Sequence, residues 1–461
     1  MSINYTSDIT ILCRVVDNFG DVGFAYRLAR ALKNLQKNHF KEKTNLRLVI
    51  DDLHSFSLLA PGINEKLCIQ EYCGFTVYDW NANTVCTNDF VKHPPLTILQ
   101  CFQCGYPDWL EELLFNRQIK NEDKDIEKKN LSMRQNIKVQ KSNDKHIVHV
   151  INIDYLTAEP YAEEFHLLAS LTRSSLVQKI NFMPGFTKRT GGLLLNRAML
   201  DCRMPNHNNL ISEHSFIESG TKNSFNILVF AYEQNFEWLV NAIASFKKQL
   251  NFNDELKEQN NSEEKNASVH AFVAAGNMQE HFLHAWKNHK WENCEHPFQI
   301  TQLAFLSQEN WDSLLFSCDM LFVRGEDSLA SACLSGLPFI WQAYKQDDDY
   351  QLVKVRALLS LMQPFFSASD FELLSTTWLL CNTTHPLTSE NDNANPNKTV
   401  TKKTNCVYNF LQKAYIEKKI ASGKITESKF NFFRKSFSDF TQTLLTNGDF
   451  AKNLFNYLER I

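Results

Sequence analysis

The chain has 461 residues, 43% hydrophobic and 22% charged, with 14 Gly and 12 Pro, which excludes a collagen-like chain, a coiled coil and a wholly disordered protein and predicts two or three folded domains. Its 48 Lys plus Arg face 52 Asp plus Glu, and a net charge of -4 supplies no general attraction for nucleic acid or an anionic membrane. No apolar run reaches the roughly 18 residues of a spanning helix, and residues 1–10 carry neither a basic segment nor a long apolar signal, so a cytoplasmic location is expected.

Residues 9–16 are mostly apolar and β-branched and predict a buried strand. Asp17-Asn18-Phe19-Gly20-Asp21-Val22-Gly23 then supplies turn formers before a helix over 24–35, with Phe24, Leu28 and Leu32 near one stripe. Residues 46–52 form a second strand ending in Asp51-Asp52, and 96–102 a third. In a doubly wound sheet such carboxyl-end loops face a ligand crevice. Residues 118–146 are dominated by Lys, Asp, Glu, Asn and Gln and read as a solvated insertion. The pattern resumes with a strand over 146–153, and the polar stretch 206–224 is the best linker.

A second α/β pattern follows. Strands are expected at 225–232, 269–276, 300–305 and 320–324, with a helix over 236–246 and a small-residue helix reaching Ser335 after Gly325-Glu326-Asp327-Ser328. Residues 251–266 and 382–404 read as polar insertions, and a last helix covers 450–461.

The 12 Cys are scattered, and reduced thiols are the default in so long a chain. Cys101 and Cys104 form a CxxC, but no second pair or nearby His completes a zinc pattern. HExxH and GxSxG are absent, which lowers zinc-hydrolase and serine-hydrolase readings, and Gly20 and Gly23 do not complete a dinucleotide fingerprint. Asp17 and Asp21 straddle a turn after the first strand, where a carboxylate can position a nucleophile and take its proton. Turn formation and helix capping explain the same residues. The loop Met183 to Gly192, with Lys188 and Arg189, could approach an anion but lacks a P-loop pattern, and reads equally as a surface loop. Arg324-Gly325-Glu326-Asp327-Ser328 joins a strand to a helix whose terminus could meet phosphate, or be capped and nothing more. Trp341 to Asp349 could line the same cleft, though its Asp347-Asp348-Asp349 run is more in keeping with solvation. Phe230, Tyr232, Phe305 and Trp311 could stack on a base or fill a core.

The blocks Cys13-Arg14-Val15-Val16-Asp17-Asn18-Phe19-Gly20-Asp21-Val22-Gly23, Asp154-Tyr155-Leu156-Thr157-Ala158-Glu159, Pro184-Gly185-Phe186-Thr187 with Thr190-Gly191-Gly192-Leu193, Phe322-Val323-Arg324-Gly325-Glu326-Asp327-Ser328, and Pro338-Phe339-Ile340-Trp341 with Gln346-Asp347 span most of the chain. Together they closely resemble bacterial protein-arginine rhamnosyltransferases that modify translation elongation factor P.

That resemblance implies an α/β GT-B glycosyltransferase fold, two Rossmann-like domains facing across a cleft. Residues 1–205 would bind the acceptor, 206–224 link, 225–440 bind the nucleotide sugar, and 441–461 form a helical segment packing on the first domain. The implied reaction moves L-rhamnose from dTDP-β-L-rhamnose to one arginine guanidinium of elongation factor P with inversion. By the same resemblance Asp21 orients or deprotonates the guanidinium, with Asp17 its companion. Arg324, Gly325, Glu326, Asp327 and Ser328 match the donor motif, and Phe230, Tyr232 and Gln308 the nucleotide pocket. Asn18, Phe19, Gly20, Gly191 and Gly192 would lie on cleft loops. Neither a metal nor another cofactor is implied, and the partners are elongation factor P and a nucleotide sugar, with no membrane or direct nucleic acid.

The chain departs from the family in its polar insertions and in Asp154-Tyr155, where Glu-Tyr is common, changes expected to affect docking surfaces more than reaction type. Three alternatives are another sugar donor or acceptor on the same fold, a factor-binding module without chemistry, and, less favoured, a dehydrogenase.

Overall fold

The structure, a computed structural model, describes residues 4–16, 19–41, 43–115, 146–195, 224–258, 268–290, 298–383, 396–421 and 432–461. Of the expected features, Asp17, Asn18, nearly all of the 118–146 insertion and the 206–224 linker up to residue 223 lie outside the described residues. By internal contacts the chain divides into one unit of Met1–Tyr155, Tyr161–Leu194 and Gly448–Ile461, and a second of Leu156–Pro160 and Leu195–Asn447.

In the first unit, strands β1 (Asp8–Cys13), β2 (Asn45–Ile50), β3 (Ile69–Tyr72), β4 (Phe75–Asp79), β5 (Thr97–Cys101), β6 (Val148–Ile153), β7 (Ala169–Ser170) and β8 (Val177–Asn181) form an 8-stranded sheet in the order β3-β4-β2-β1-β5-β6-β8-β7. Only the outer pairs β3/β4 and β7/β8 run antiparallel among the pairings of this sheet. Every residue of β1 is buried. Ile9, Ile11 and Cys13 join the core beneath the helix Phe19–His39, whereas Leu12 joins Phe90 and Trp109 on the other face. A central parallel strand covered on both faces has no solvent side, which is why its sequence reads as an apolar run.

The second unit carries β9 (Ser224–Val229), β10 (Ser268–Val273), β11 (Gln299–Gln302), β12 (Met320–Arg324) and β13 (Phe339–Gln342), in the order β11-β10-β9-β12-β13, all parallel. Helices Glu237–Glu258, Asn277–Asn288, Gln308–Ser317 and Glu326–Ser335 alternate with them. Each unit is therefore Rossmann-like, with its loops of interest at the carboxyl ends of the strands.

Several expected boundaries move. β1 ends at Cys13, and the helix opens at Phe19 rather than Phe24, so Asp21 and Gly23 are helical. An acidic residue in a first turn faces the positive end of the helix dipole, and Asp21 occupies that turn. Residues 251–266 and 382–404 are not simply polar insertions. The helix that opens at Glu237 continues to Glu258, Asn382 is a buried helix terminus, and a further helix spans Pro396–Ala421. Its Val407, Phe410, Leu411 and Ala414 are buried, a helical stripe that polar neighbours conceal in composition alone.

The last helix, Phe450–Leu458, belongs to the first unit, where Phe450, Leu454, Phe455 and Leu458 enter the core. Asp449 caps it, Phe450 N–H donates to Leu193 O at 2.9 Å, and the Asn453 amide donates to Gly191 O at 3.0 Å. The preceding helix, Phe433–Thr446, stays with the second unit, with Thr441 Oγ1 donating to Cys333 O at 2.6 Å.

Candidate active site

In the first unit the candidate residues lie where β1 stops. Val15 N–H donates to Asp51 Oδ1 at 2.8 Å and Val16 N–H to Asp21 Oδ2 at 2.8 Å. Asp21 is 2% exposed, so its carboxylate is held inside the carboxyl end of the sheet rather than left on a surface turn. Phe19 and Gly20 are half-buried at the helix start. Burial, then the charges of Cys101 and Asp21, push the Cys13 thiol well up, and burial, then Cys104 and Asp21, does the same for Cys101. Burial raises Cys104 to about 12. These thiols stay protonated at neutral pH, and none of the three is in a disulfide.

The loop of Gly191 and Gly192 is not a surface loop. Apart from Thr187, Lys188 and Arg189, its residues from Met183 to Gly192 are buried. A Cβ on Gly191 would lie 2.6 Å from Phe182 Cε1 and 2.9 Å from Phe450 Cδ2, so this glycine is needed for close packing of the last helix. Arg189 pairs with Glu163, which also accepts from Thr187 Oγ1 at 2.6 Å. The cations that suggested an anion loop therefore include one engaged with a carboxylate of its own unit.

In the second unit the carboxyl ends of β9, β12 and β13 converge. The Arg324 guanidinium lies 4.7 Å from the Phe230 ring centroid and 4.7 Å from that of Tyr232, a double cation–π contact. Trp311 meets Phe230 edge-on at 5.0 Å, and Tyr344 meets Tyr232 at 5.7 Å. Gln308 is buried at the start of the helix carrying Trp311. Phe305 is 46% exposed.

Gly325 adopts φ +67° and caps the helix Glu326–Ser335, a backbone region that favours glycine. Its N–H donates to Gln342 O at 3.2 Å, and the Trp341 indole donates to Gly325 O at 2.9 Å. Glu326 and Asp327 occupy the first helical turn, Ser328 is buried, and Lys354 Nζ lies 3.6 Å from Glu326 Oε1. Asp347, Asp348 and Asp349 form a short turn with no buried member.

Gln342, which the sequence offered only as one member of the 341–349 run, is a hub. It accepts the Tyr232 N–H at 3.1 Å through Oε1 and donates to Cys381 O at 3.2 Å. A polar residue closing an apolar strand was the only signal. Thus Phe230, Tyr232, Arg324, Gly325 and Glu326 gather at one end of the sheet, while Asp21 belongs to the other unit and Asp17 and Asn18 lie outside the described residues. Among the described residues, no group of three His, Cys, Asp or Glu could hold a metal ion, and no helix is long and apolar enough to cross a membrane.

A family model described as Elongation-Factor P (EF-P) rhamnosyltransferase EarP matches residues 9–459. The chain belongs to that family. It is accordingly a rhamnosyltransferase. A protein-arginine rhamnosyltransferase of Shewanella oneidensis is 28% identical over 364 residues, covering 76% of this chain and 80% of that protein. Another, of Pseudomonas aeruginosa, is 27% identical over 380 residues, covering 81% and 86%. A solved structure concerned with EarP-mediated arginine glycosylation of translation elongation factor EF-P aligns over 98% of this chain and 99% of that one, at 15% identity and a TM-score of 0.50. That likeness carries the fold, and the EarP-family chain has the two Rossmann-like domains of the GT-B class.

Proposed function

We propose that this enzyme transfers L-rhamnose from dTDP-β-L-rhamnose to a guanidinium nitrogen of one arginine of elongation factor P, in the cytoplasm and with inversion at C1. Residues 1–205 serve the acceptor and 225–440 the nucleotide sugar. The observation that best supports a nucleotide-sugar site is the Phe230–Arg324–Tyr232 stack beside the helix that starts at Glu326. The rings offer flat faces to a base, and a helix N-terminus offers N–H groups to a diphosphate.

Free arginine has a pKa above about 12, and an ordinary Asp is near 3.9, so simple deprotonation before attack is unfavourable. The carboxylate of Asp21, with Asp17 as companion, instead holds the guanidinium by paired hydrogen bonds and localises its charge on the far nitrogens. As the attacking nitrogen bonds to C1, its proton passes to the carboxylate and the C1–O bond breaks. The electron pair leaves on dTDP, whose developing charge meets backbone amides around Gly325 to Ser328. Intact factor contributes remote binding that free arginine lacks.

The test is transfer from isotope-labelled dTDP-rhamnose to intact factor, to free arginine, and to factor with its acceptor Arg→Lys. Label is expected on the intact factor, at arginine in tandem mass spectra. Equal transfer to free arginine, or label retained in the Arg→Lys factor, would overturn the proposal.

A further inference from the structure

We propose that Asp51 is a positioning residue for the transfer, acting on Asp21 through the two peptide groups that lead out of β1. The inference rests on the acceptor-side role assigned to Asp21 above. Adjacent amides are held by carboxylates from different elements: Val15 by Asp51, 36 residues away and just past β2, and Val16 by Asp21 in the first helical turn, both at 2.8 Å. The register pairs Cys13 with Ile50, so Asp51 follows directly on the last paired residue of β2, beside the exit of β1. Only two soft dihedrals separate neighbouring peptide planes, and fixing one narrows the orientations open to the next.

Asp51 is itself anchored, because its carbonyl accepts the Asn81 amide at 3.3 Å and Ile50 O accepts Trp80 N–H at 2.8 Å. Its neighbour Asp52 has a different task, capping the helix Leu53–Leu59 by accepting Ser55 N–H at 3.0 Å and Ser55 Oγ–H at 2.5 Å. The acidic end of β2 therefore divides: one carboxylate starts the next helix, and the other reaches back to the β1 exit. The approach of Arg14 Nε to Asp51 Oδ2, at 3.8 Å with Arg14 65% exposed, adds little to either. What Asp51 supplies is the orientation of the Val15 and Val16 amides, and through the latter that of Asp21, where a displacement of about 1 Å costs on the order of 100-fold in rate.

The experiment measures kcat at saturating donor and factor, donor Kd by titration calorimetry, and amide hydrogen exchange. It compares Asp51→Ala, Asp51→Asn and Asp21→Ala with wild type. Asp51→Ala is expected to lower kcat by about 10- to 100-fold with donor Kd unchanged, and to speed exchange at both Val15 and Val16. Asp21→Ala should speed exchange at Val16 alone. Asp51→Asn, whose side-chain carbonyl still accepts from Val15, should recover most of the lost rate. Should Asp51→Ala fail to fold, Asp51→Ser replaces it, since a serine hydroxyl is too short to reach without backbone motion. Wild-type kcat in the truncated variant, or Asp51→Asn as impaired as that variant, would overturn the assignment. An active Asp21→Ala enzyme would instead sink the acceptor-side reading on which it rests.

Discussion

Val16 donates its amide hydrogen to Oδ2 of Asp21 at 2.8 Å, so a carboxylate in the first turn of the helix Phe19–His39 holds the backbone that follows β1. The bond makes Asp21 both a product of the fold and an anchor for Val16. Removing it should harm the chemical step far more than stability, since a general acid–base group contributes about 100- to 10,000-fold. Asp21→Ala is expected to lose rate within that range while its donor Kd stays at the wild-type value. A parallel rise in donor Kd would argue that the residue acts on the other substrate.

Arg324 offers a second, opposite test. Its guanidinium lies between Phe230 and Tyr232 at 4.7 Å from each ring, and a partly desolvated cation–π contact is worth about 1–2 kcal/mol. Arg324→Met should raise the KM for dTDP-rhamnose by about tenfold, the equivalent of about 1.4 kcal/mol, with a smaller change in kcat. Steady-state kinetics with varied donor decides it. An unchanged donor KM would show that the two rings hold their places without the cation.

Gly191 should report on stability rather than affinity. The Cβ of an alanine there would meet Phe182 at 2.6 Å and Phe450 at 2.9 Å, and overpacking of this kind costs about 1–3 kcal/mol. Gly191→Ala is expected to lower Tm by about 2–4 °C for each kcal/mol lost, with donor Kd unaltered. Thermal unfolding followed by circular dichroism provides the check, and a wild-type Tm would contradict the packing account.

The acid side of the stability profile follows from one buried and two half-buried histidines. Burial lowers the pKa of His166, whose Nδ1 accepts the Met183 N–H at 3.1 Å and must be unprotonated to do so. Burial shifts His149 and His289 in the same direction. With the folded pKa below the ordinary value near 6.5, the unfolded chain takes the proton first. Stability is therefore complete above about pH 6.5 and declines as pH falls through the window beneath it. Urea midpoints should drop between about pH 7.5 and 5.5, and His166→Gln should flatten part of that slope. A midpoint independent of pH over this interval would contradict the assignment.

Much of the architecture is legible because buried parallel strands leave a mostly apolar trace, as in residues 9–13, broken only by Thr10, and 320–323. The proposed donor-binding segment is legible for a related reason: Arg324 to Ser328 interrupts such a run where a strand turns into a helix. Long-range polar bonds leave no local trace. Gln342 gains its importance from Tyr232, 110 residues away, and Asp51 from Val15. Burial of polar segments is equally hidden. Lys403 lies in a stretch that reads as a polar insertion, yet its ammonium sits 3.9 Å over the Trp238 ring, and burial lowers its pKa. Thr190 looks like a surface residue until it is found buried, with its hydroxyl bonded to Thr187 O at 2.8 Å.

The central claim is tested most directly by the intact mass of purified elongation factor P after incubation with dTDP-β-L-rhamnose and either wild-type enzyme or Asp21→Ala. The account predicts a single deoxyhexose increment with wild type, mapped to one arginine, and almost none with the variant over the same time. No increment with folded wild-type enzyme and factor would contradict the donor and acceptor pairing, and equal increments with both enzymes would contradict the role of Asp21.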